Sequence, residues 1–183
     1  MNHETVYILA FGAQYAQRIA RRVREHHCYC EIVPHGVPPS RLEGAKGLIL
    51  TGGPASVYAE GAPRCDPGIF ELGVPVLGIC YGMQLMCHLL GGKVVGANRR
   101  EYGHARLEIG DPDELLHGIR GSTQVWMSHG DSVENPGPGF EVLGTTTNTP
   151  FAAVRHAAKR LYGIQFHPEV THTERGRDML GNF

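Results

Sequence analysis

A cysteine lies where an apolar strand pattern gives way to a helical one. The run Val74-Pro75-Val76-Leu77 leads into Gly78-Ile79-Cys80-Tyr81-Gly82, and apolar residues then recur at helical spacing. Glycines two residues before and after Cys80 permit a strained turn that points the side chain out of a sheet. The start of the following helix offers unpaired N–H groups and partial positive charge, which favour a thiolate. The pattern predicts an α/β fold with a nucleophilic cysteine at a strand-to-helix turn.

The first half of the chain alternates between short apolar runs and amphipathic segments. We expect strands at 5–11, 29–33, 47–51 and 75–79, an amphipathic helix at 15–26 and a short helix that ends at 69–72. Alternating strands and helices of this kind form parallel sheets with right-handed crossovers. A mostly parallel central sheet is therefore predicted.

After Gly91-Gly92 the pattern changes to short strand candidates separated by turn residues. These candidates lie at 93–97, 105–109, 124–127, 141–146, 151–155 and 161–165, and a final helix is expected at 174–183. Such spacing indicates a mixed or antiparallel extension of the sheet. Neither a repeat nor a linker interrupts the sequence, so we predict one domain over residues 1–183.

Composition excludes several classes of function. The net charge of −1 gives no indication of a nucleic-acid or anionic-membrane surface. No apolar run reaches the ~18 residues that a membrane span needs, and we expect no signal peptide. The odd count of five cysteines favours a reducing, cytoplasmic setting over a disulfide framework.

The remaining cysteines lack the setting of Cys80. Cys28 and Cys30 flank a tyrosine, but no second ligand pair follows at zinc-like spacing, so no metal site is predicted. These two residues, together with Cys65 and Cys87, are interpreted as structural, since a lone cysteine is usually a small buried hydrophobic residue.

The segment Gln165-Phe166-His167-Pro168-Glu169 supplies a base and a carboxylate. His167 follows a predicted strand, at the sheet edge where α/β folds place catalytic residues. Pro168 keeps His167 out of the helical region, and residues two apart in extended chain point the same way, so Glu169 can orient the imidazole. With eleven histidines in the chain, a surface or capping role is the alternative for any single one. Together with Cys80, the segment predicts a Cys-His-Glu triad.

A glycine-rich loop, Thr51-Gly52-Gly53-Pro54, follows the third predicted strand. A phosphate-binding P-loop is excluded because no Gly-Lys-Ser/Thr follows. A simple tight turn is one interpretation. The functional alternative is an oxyanion hole formed by the backbone N–H groups of Gly53 and Tyr81.

Three segments together resemble the class I, triad-type glutamine amidotransferases over essentially the whole chain. They are Gly52-Gly53-Pro54, residues 78–84 and residues 163–169. The resemblance implies an αβα sandwich and hydrolysis of the glutamine side-chain amide through a thioester. It implies Cys80 as nucleophile, His167 as base and then acid, Glu169 as orienter, and an oxyanion hole at Gly53 and Tyr81. Glutamine would lie near Gly52, Gln84, Ser128, His129 and Asp131.

Further stretches are similar to the branch of this family that provides ammonia for the amination of XMP to GMP. These are residues 11–15, 21–25, 101–103, 126–131 and 167–173. The resemblance implies that the partner is an ATP-pyrophosphatase synthetase, present as a domain or a subunit, with ATP and magnesium bound there. The Ser-Gly-Gly-Val-Asp-Ser motif of such a synthetase is absent from the 183 residues, so no cofactor is expected in this chain. Ala10 stands where the family usually has Asp, which leaves open the loop or domain contacts of that carboxylate.

Three alternatives stay open at this stage. A cysteine peptidase of similar architecture would cleave peptides instead of free glutamine. A glutaminase subunit of anthranilate or carbamoyl phosphate synthesis would differ in its partner. A catalytically silent regulatory domain is the non-enzymatic alternative, against which the intact Cys80, His167 and Glu169 argue.

Overall fold

The computed structural model of the protein describes residues 4–112 and 114–183, without the side chains of 97–99. The strands are β1 (Thr5–Ala10), β2 (Tyr29–Pro34), β3 (Gly47–Leu50), β4 (Val76–Ile79), β5 (Lys93–Ile109), β6 (Ser122–Asn135), β7 (Glu141–Thr145), β8 (Ala153–His156) and β9 (Leu161–Ile164). The α-helices are α1 (Ala13–Arg24), α2 (Tyr81–Leu89) and α3 (Gly176–Asn182).

One sheet joins all of these strands in the order β2-β1-β3-β4-β9-β8-β7-β5-β6. The strands from β2 to β9 in this order pair in parallel. From β9 onward each neighbour pairs antiparallel. The predicted combination of a parallel sheet with an antiparallel extension is confirmed.

Helices cover both faces of the parallel half. In β3, Ile49 packs in the core cluster that holds the buried residues of α1 and α3, whereas Leu48 and Leu50 pack in the cluster that holds those of α2. Alternate side chains of a strand point to opposite faces, so the two clusters lie on opposite sides of the sheet. The result is the three-layer αβα sandwich.

The extension differs from the expected series of short strands. The candidates at 93–97 and 105–109 are parts of one strand, β5, and the candidate at 124–127 is the middle of the long strand β6. The β5–β6 pairing shifts register between Gly96 and Glu101, so extra residues are absorbed while the ladder continues. A polar segment within β5 hides this continuity from a search for alternating apolar residues.

The short helix expected to end at 69–72 is a 3₁₀ turn at Pro67–Glu71. Asp66 caps it, because its Oδ1 accepts a hydrogen bond from the Gly68 N–H at 2.8 Å. Among the described residues, no helix combines the length and apolar character that crossing a membrane requires.

Candidate active site

Cys80 occupies a strained turn between β4 and α2. Its φ of 51° and ψ of −108° lie in a region that side-chain-bearing residues rarely adopt. The Cys80 N–H donates to the Ile164 carbonyl at 2.8 Å, which ties the turn to β9. A Cβ at Gly78 would lie 2.7 Å from the Met83 nitrogen, and one at Gly82 would collide with the Leu50 carbonyl. Both glycines are therefore sterically required for this turn.

His167 lies just beyond the end of β9 and pairs with Glu169. Its Nδ1 is 2.8 Å from Glu169 Oε1, and the two side chains are 4% and 1% exposed. The His167 backbone is also fixed, because its N–H donates to the Trp126 carbonyl at 3.0 Å. Its own carbonyl accepts a hydrogen bond from Thr173 Oγ1 at 2.6 Å. The imidazole is thus held from both its backbone and its ring.

The surroundings of His167 favour its protonated form. Burial alone lowers the pKa of the imidazole, but the interactions with Cys80 and with the hydrogen-bonded Glu169 raise that pKa to about 10. Within the described residues, His167 Nε2 makes no hydrogen bond of standard distance and angle. Nε2 is therefore left available to a reacting group.

Two further residues contact the imidazole. The Tyr15 ring, from the first turn of α1, stacks on it with a centroid separation of 5.5 Å. A Cβ at Gly52 would lie 3.0 Å from His167 Cε1 and 3.6 Å from the Cys80 Cβ. Gly52 therefore lies beside both Cys80 and His167, and its missing side chain leaves room for them.

The glycine loop after β3 is braced by Thr51. The Thr51 hydroxyl accepts from the Phe11 N–H and donates to the Gly52 carbonyl, both at 2.9 Å. A Cβ at Gly53 would lie 2.6 Å from the Phe11 carbonyl oxygen, so only glycine allows this close approach. The loop has a fixed backbone next to the elbow, as an oxyanion hole needs.

Tyr81, the second predicted oxyanion donor, begins α2. The N–H at this position is among those for which a helix offers no internal acceptor. Its side chain points elsewhere, because the Tyr81 hydroxyl donates to the Pro63 carbonyl at 2.6 Å. Tyr81 would thus act through its backbone alone. The pairing of Gly53 and Tyr81 in an oxyanion hole stays a prediction.

A cavity of about 410 Å³ opens next to Cys80. This volume is within the range of small-molecule sites. Predicted site residues that line it are Cys80, Gly53, Gln84, Ser128, His129 and Asp131. Other residues of its wall are Tyr15, Pro54, Ala55, Ser56, Arg100, Tyr102 and Gly130.

Several residues predicted to contact the substrate already make hydrogen bonds with other residues of the chain. Gln84 Nε2 donates to the Asp131 carbonyl at 3.0 Å. The His129 ring is bonded at both nitrogens, to the Asp131 carbonyl at 2.7 Å and to Glu101 Oε2 at 3.2 Å. The Ser128 carbonyl accepts from Cys80 Sγ at 3.7 Å. These groups shape the cavity wall, and their contact with glutamine stays a prediction.

The sequence interpretation missed three residues of the site. Gln165 places Nε2 at 3.6 Å from Cys80 Sγ, Tyr15 stacks on His167, and Glu101 pairs with His129. All three lie inside stretches that carry the family resemblance, which is the signal that could have identified them. Glu101 meets His129 only through the β5–β6 pairing. Among the described residues, no group of three or more His, Cys, Asp or Glu side chains is arranged to hold a metal ion.

Comparison with known proteins gives matches over the whole chain. The glutamine amidotransferase class-I family model matches residues 7–183. The glutamine-hydrolysing GMP synthases of Natranaerobius thermophilus and Caldanaerobacter subterraneus are 55% and 54% identical to this chain. In both cases the match covers 100% of this chain and 36% of the relative. The chain therefore spans about a third of the length of these curated relatives.

Solved structures agree with the sequence matches. A Thermoplasma acidophilum protein described as one subunit of a GMP synthase superimposes with a TM-score of 0.90 at 29% identity, covering 100% of this chain and 92% of that one. A Thermotoga maritima glutamine amidotransferase reaches 0.75 at 22% identity, covering 93% and 78%, and shares the fold. With a cysteine elbow, a buried His-Glu pair and a family model that spans nearly every residue, this chain belongs to the class I glutamine amidotransferases.

Proposed function

We propose that this chain is the glutamine-hydrolysing part of a GMP synthase. One observation carries the proposal: the reactive turn at Cys80 lies beside the buried His167–Glu169 pair in a chain 55% identical, over its full length, to a glutamine-hydrolysing GMP synthase. The function is thus release of ammonia from glutamine, with one domain over 1–183, no cofactor in this chain and a cytoplasmic location.

The first half-reaction forms a thioester. The Cys80 thiolate attacks the carbonyl carbon of the glutamine side-chain amide, and the electron pair of the C=O bond moves to oxygen. The backbone N–H groups of Gly53 and Tyr81 hold this oxyanion. One such donor is worth about 3–4 kcal/mol of transition-state stabilisation in comparable sites. The C–N bond then breaks, and protonated His167 gives its proton to the departing nitrogen, which leaves as ammonia.

The second half-reaction releases glutamate. A water molecule gives a proton to the now neutral His167 and attacks the thioester carbonyl. The carbon–sulfur bond breaks, and Cys80 leaves as the thiolate. His167 ends protonated, as its raised pKa requires for the resting state. Glu169 keeps Nδ1 protonated throughout, so that Nε2 exchanges the proton.

The ammonia has to reach a second site before it is protonated and loses its nucleophilicity. The synthetase part that would receive it binds ATP and magnesium and acts on XMP. Support for such a partner comes from the curated relatives. The match covers only 36% of each, so they are nearly three times the length of this chain. That part is a domain or a separate subunit.

Two assays test the function. The first measures glutamate release from free glutamine by the chain alone, and again with the synthetase part, XMP and ATP present. We expect slow release alone and roughly 5- to 150-fold stimulation, which is the usual range for coupled sites. The second compares glutamine with ammonium salts as nitrogen donors in the complete enzyme. Cys80→Ala should abolish GMP formation from glutamine and preserve it from ammonium.

The outcomes separate the alternatives. Equal loss of GMP formation from glutamine and from ammonium in Cys80→Ala would contradict a nucleophilic role. Stimulation by an anthranilate or carbamoyl phosphate synthetase in place of the XMP-dependent one would reassign the partner. Peptide cleavage without glutamine hydrolysis would indicate a peptidase, and absence of any turnover in the complete assembly would indicate a regulatory domain.

A further inference from the structure

Gln165 contacts the nucleophile and has no part in the mechanism above. Its side chain is completely buried, and its Nε2 lies 3.6 Å from Cys80 Sγ. Its backbone N–H donates to the Ala152 carbonyl at 2.9 Å, which fixes its position beside the start of β8. An N–H group at this distance from sulfur interacts more favourably with a thiolate than with a thiol.

The direction of the Gln165 amide is determined by its neighbours. Gln84 Nε2 donates both to the Asp131 carbonyl, at 3.0 Å, and to Gln165 Oε1, at 3.2 Å. A backbone carbonyl can only accept, so Gln84 must present its NH₂ group to Asp131. Gln165 must then present its oxygen to Gln84, and its NH₂ group faces Cys80. A flip of either amide would place two donors or two acceptors opposite each other.

A second set of hydrogen bonds ends at the same Asp131 carbonyl and starts from a buried carboxylate. Glu101 Oε2 accepts from the Thr149 hydroxyl at 2.9 Å and is 3.2 Å from His129 Nε2. His129 Nδ1 faces the Asp131 carbonyl at 2.7 Å. A hydrogen lies between Nε2 and the carboxylate whichever of the two atoms carries it, and Nδ1 has to donate because the carbonyl cannot. The side chains of His129 and Glu101 are only 2% and 9% exposed, so water competes little for these bonds.

We propose that Gln165 is a further catalytic residue, whose NH₂ group donates to the Cys80 sulfur and stabilises the thiolate. Gln84 is a positioning residue that fixes the direction of this donor, and His129 and Glu101 are positioning residues that hold the Asp131 carbonyl to which Gln84 donates. The role rests on the proposed glutamine hydrolysis. The bond favours the thiolate in the resting enzyme and again when sulfur leaves the thioester, since charge returns to sulfur at that step.

Gln165 shares this task with the charged and titratable groups that face Cys80. From the segment after β9 they are His167 and Glu169, and from α1 the phenol of Tyr15, whose pKa is raised by burial and by Cys80. Across the cavity they are Arg100, Tyr102, His129 and Asp131. Gln165 differs from all of these because its contribution does not change with pH.

The test is the pH dependence of Cys80 alkylation. Iodoacetamide is applied between pH 4 and about pH 10, and the modification of Cys80 alone is followed by peptide mass mapping. Loss of a hydrogen bond to a charged group usually shifts an equilibrium roughly 10- to 100-fold. Gln165→Met should therefore move the midpoint of alkylation to higher pH by roughly one to two units. The same variant should also hydrolyse glutamine with fewer turnovers per second.

Two variants at Glu101 test whether its hydrogen bonds support the position of the Gln165 amide. Glu101→Leu removes the acceptor for His129 and Thr149 and should shift the midpoint in the same direction, but by less. Glu101→Gln keeps an acceptor oxygen and should shift it least. The matched control is Gln124→Met, a glutamine outside the site whose Nε2 donates to the His172 carbonyl at 3.2 Å, and its midpoint should equal that of the unmodified chain.

An unchanged midpoint in folded Gln165→Met, with glutamine hydrolysis intact in the unmodified chain, would overturn the inference and leave the proposed function standing. If Gln165→Met does not fold, near-isosteric Gln165→Glu replaces it. The ionised carboxylate must then raise the midpoint, and an unchanged value rejects the role. Failure of the unmodified chain to hydrolyse glutamine in the complete enzyme would reject the proposed function itself, independently of these midpoints.

Discussion

Nδ1 of His167 lies 2.8 Å from Oε1 of Glu169, two residues later in the chain, and both side chains are almost fully shielded from water. In such surroundings an ionised carboxylate interacts strongly with an imidazolium, because little solvent screens the pair. The pair therefore sets both the direction of the ring and its affinity for a proton.

Replacement of these two residues should have unequal effects. His167→Ala removes the proton donor and acceptor of both half-reactions, and general acid–base groups contribute roughly 100- to 10,000-fold to rate. Glu169→Gln should cost less, because an amide oxygen still accepts from Nδ1. Steady-state glutamate release by both variants measures the difference. Equal damage would mean that Glu169 takes part directly in the chemistry.

The same pair predicts a pH effect. The pKa of His167 is raised to about 10, so the imidazolium that would protonate the departing amide nitrogen persists below that pH and is lost as pH rises through it. Glu169→Gln removes one of the interactions that raise this pKa. The alkaline fall in glutamate release should therefore move to lower pH in the variant. A pH–rate profile of both proteins checks this, and coincident alkaline limbs would contradict it.

Cys80 should be the only cysteine that a glutamine-analogue diazo-ketone labels. Burial raises the pKa of the Cys65 and Cys87 thiols to about 12, so neither forms a thiolate near neutral pH. Burial also raises the pKa of Cys30. Cys28 is exposed but lies outside the cavity that holds Cys80. Peptide mapping should find one label, and labelling mainly at another cysteine would reject Cys80 as the nucleophile.

Gly52→Ala should reduce turnover while the protein stays folded. The added Cβ would lie 3.0 Å from His167 Cε1, so the ring has to move from its position beside Cys80. The ring has to give by a few tenths of an ångström. A misplacement of about 1 Å can cost about 100-fold in rate, so the loss expected here is smaller than that. Gly36→Ala is the control, since nothing lies within 4 Å of the Cβ it would introduce. Equal turnover in the two variants would show that the ring tolerates the contact.

Thr173→Val should weaken the hydrogen bonds that hold the backbone of His167 in place. The Thr173 hydroxyl accepts from the Trp126 N–H at 3.0 Å and donates to the His167 carbonyl at 2.6 Å, and a valine of similar shape can do neither. Leaving buried polar groups unpaired costs about 1–3 kcal/mol each. Urea unfolding should report this loss together with reduced turnover. The exposed Thr171→Val serves as the control, and an equal stability of the two variants would contradict the bridging role.

Local patterns predicted the triad because each part is encoded within a few residues. The turn at Cys80 requires glycine at positions 78 and 82 for steric reasons. Pro168 restricts the backbone of His167, so that Glu169 can reach the imidazole. The β5–β6 hairpin is different. Its register depends on residues distant in sequence, such as Glu101 opposite His129, and no local periodicity encodes that pairing. Gln165 lies inside the motif that predicted His167, but its contact with Cys80 is visible only in the folded chain.

The backbone N–H groups of Cys80 and His167 donate to different strands. The Cys80 N–H is bonded to Ile164 at the end of β9, whereas the His167 N–H is bonded to Trp126 in β6, the last strand of the extension. A small lateral displacement of β6 should therefore change the separation between sulfur and imidazole without any change of rotamer. Because residues 128–131 of the same strand line the cavity, mechanical load on this edge of the sheet should reach both the cavity wall and the reacting atoms.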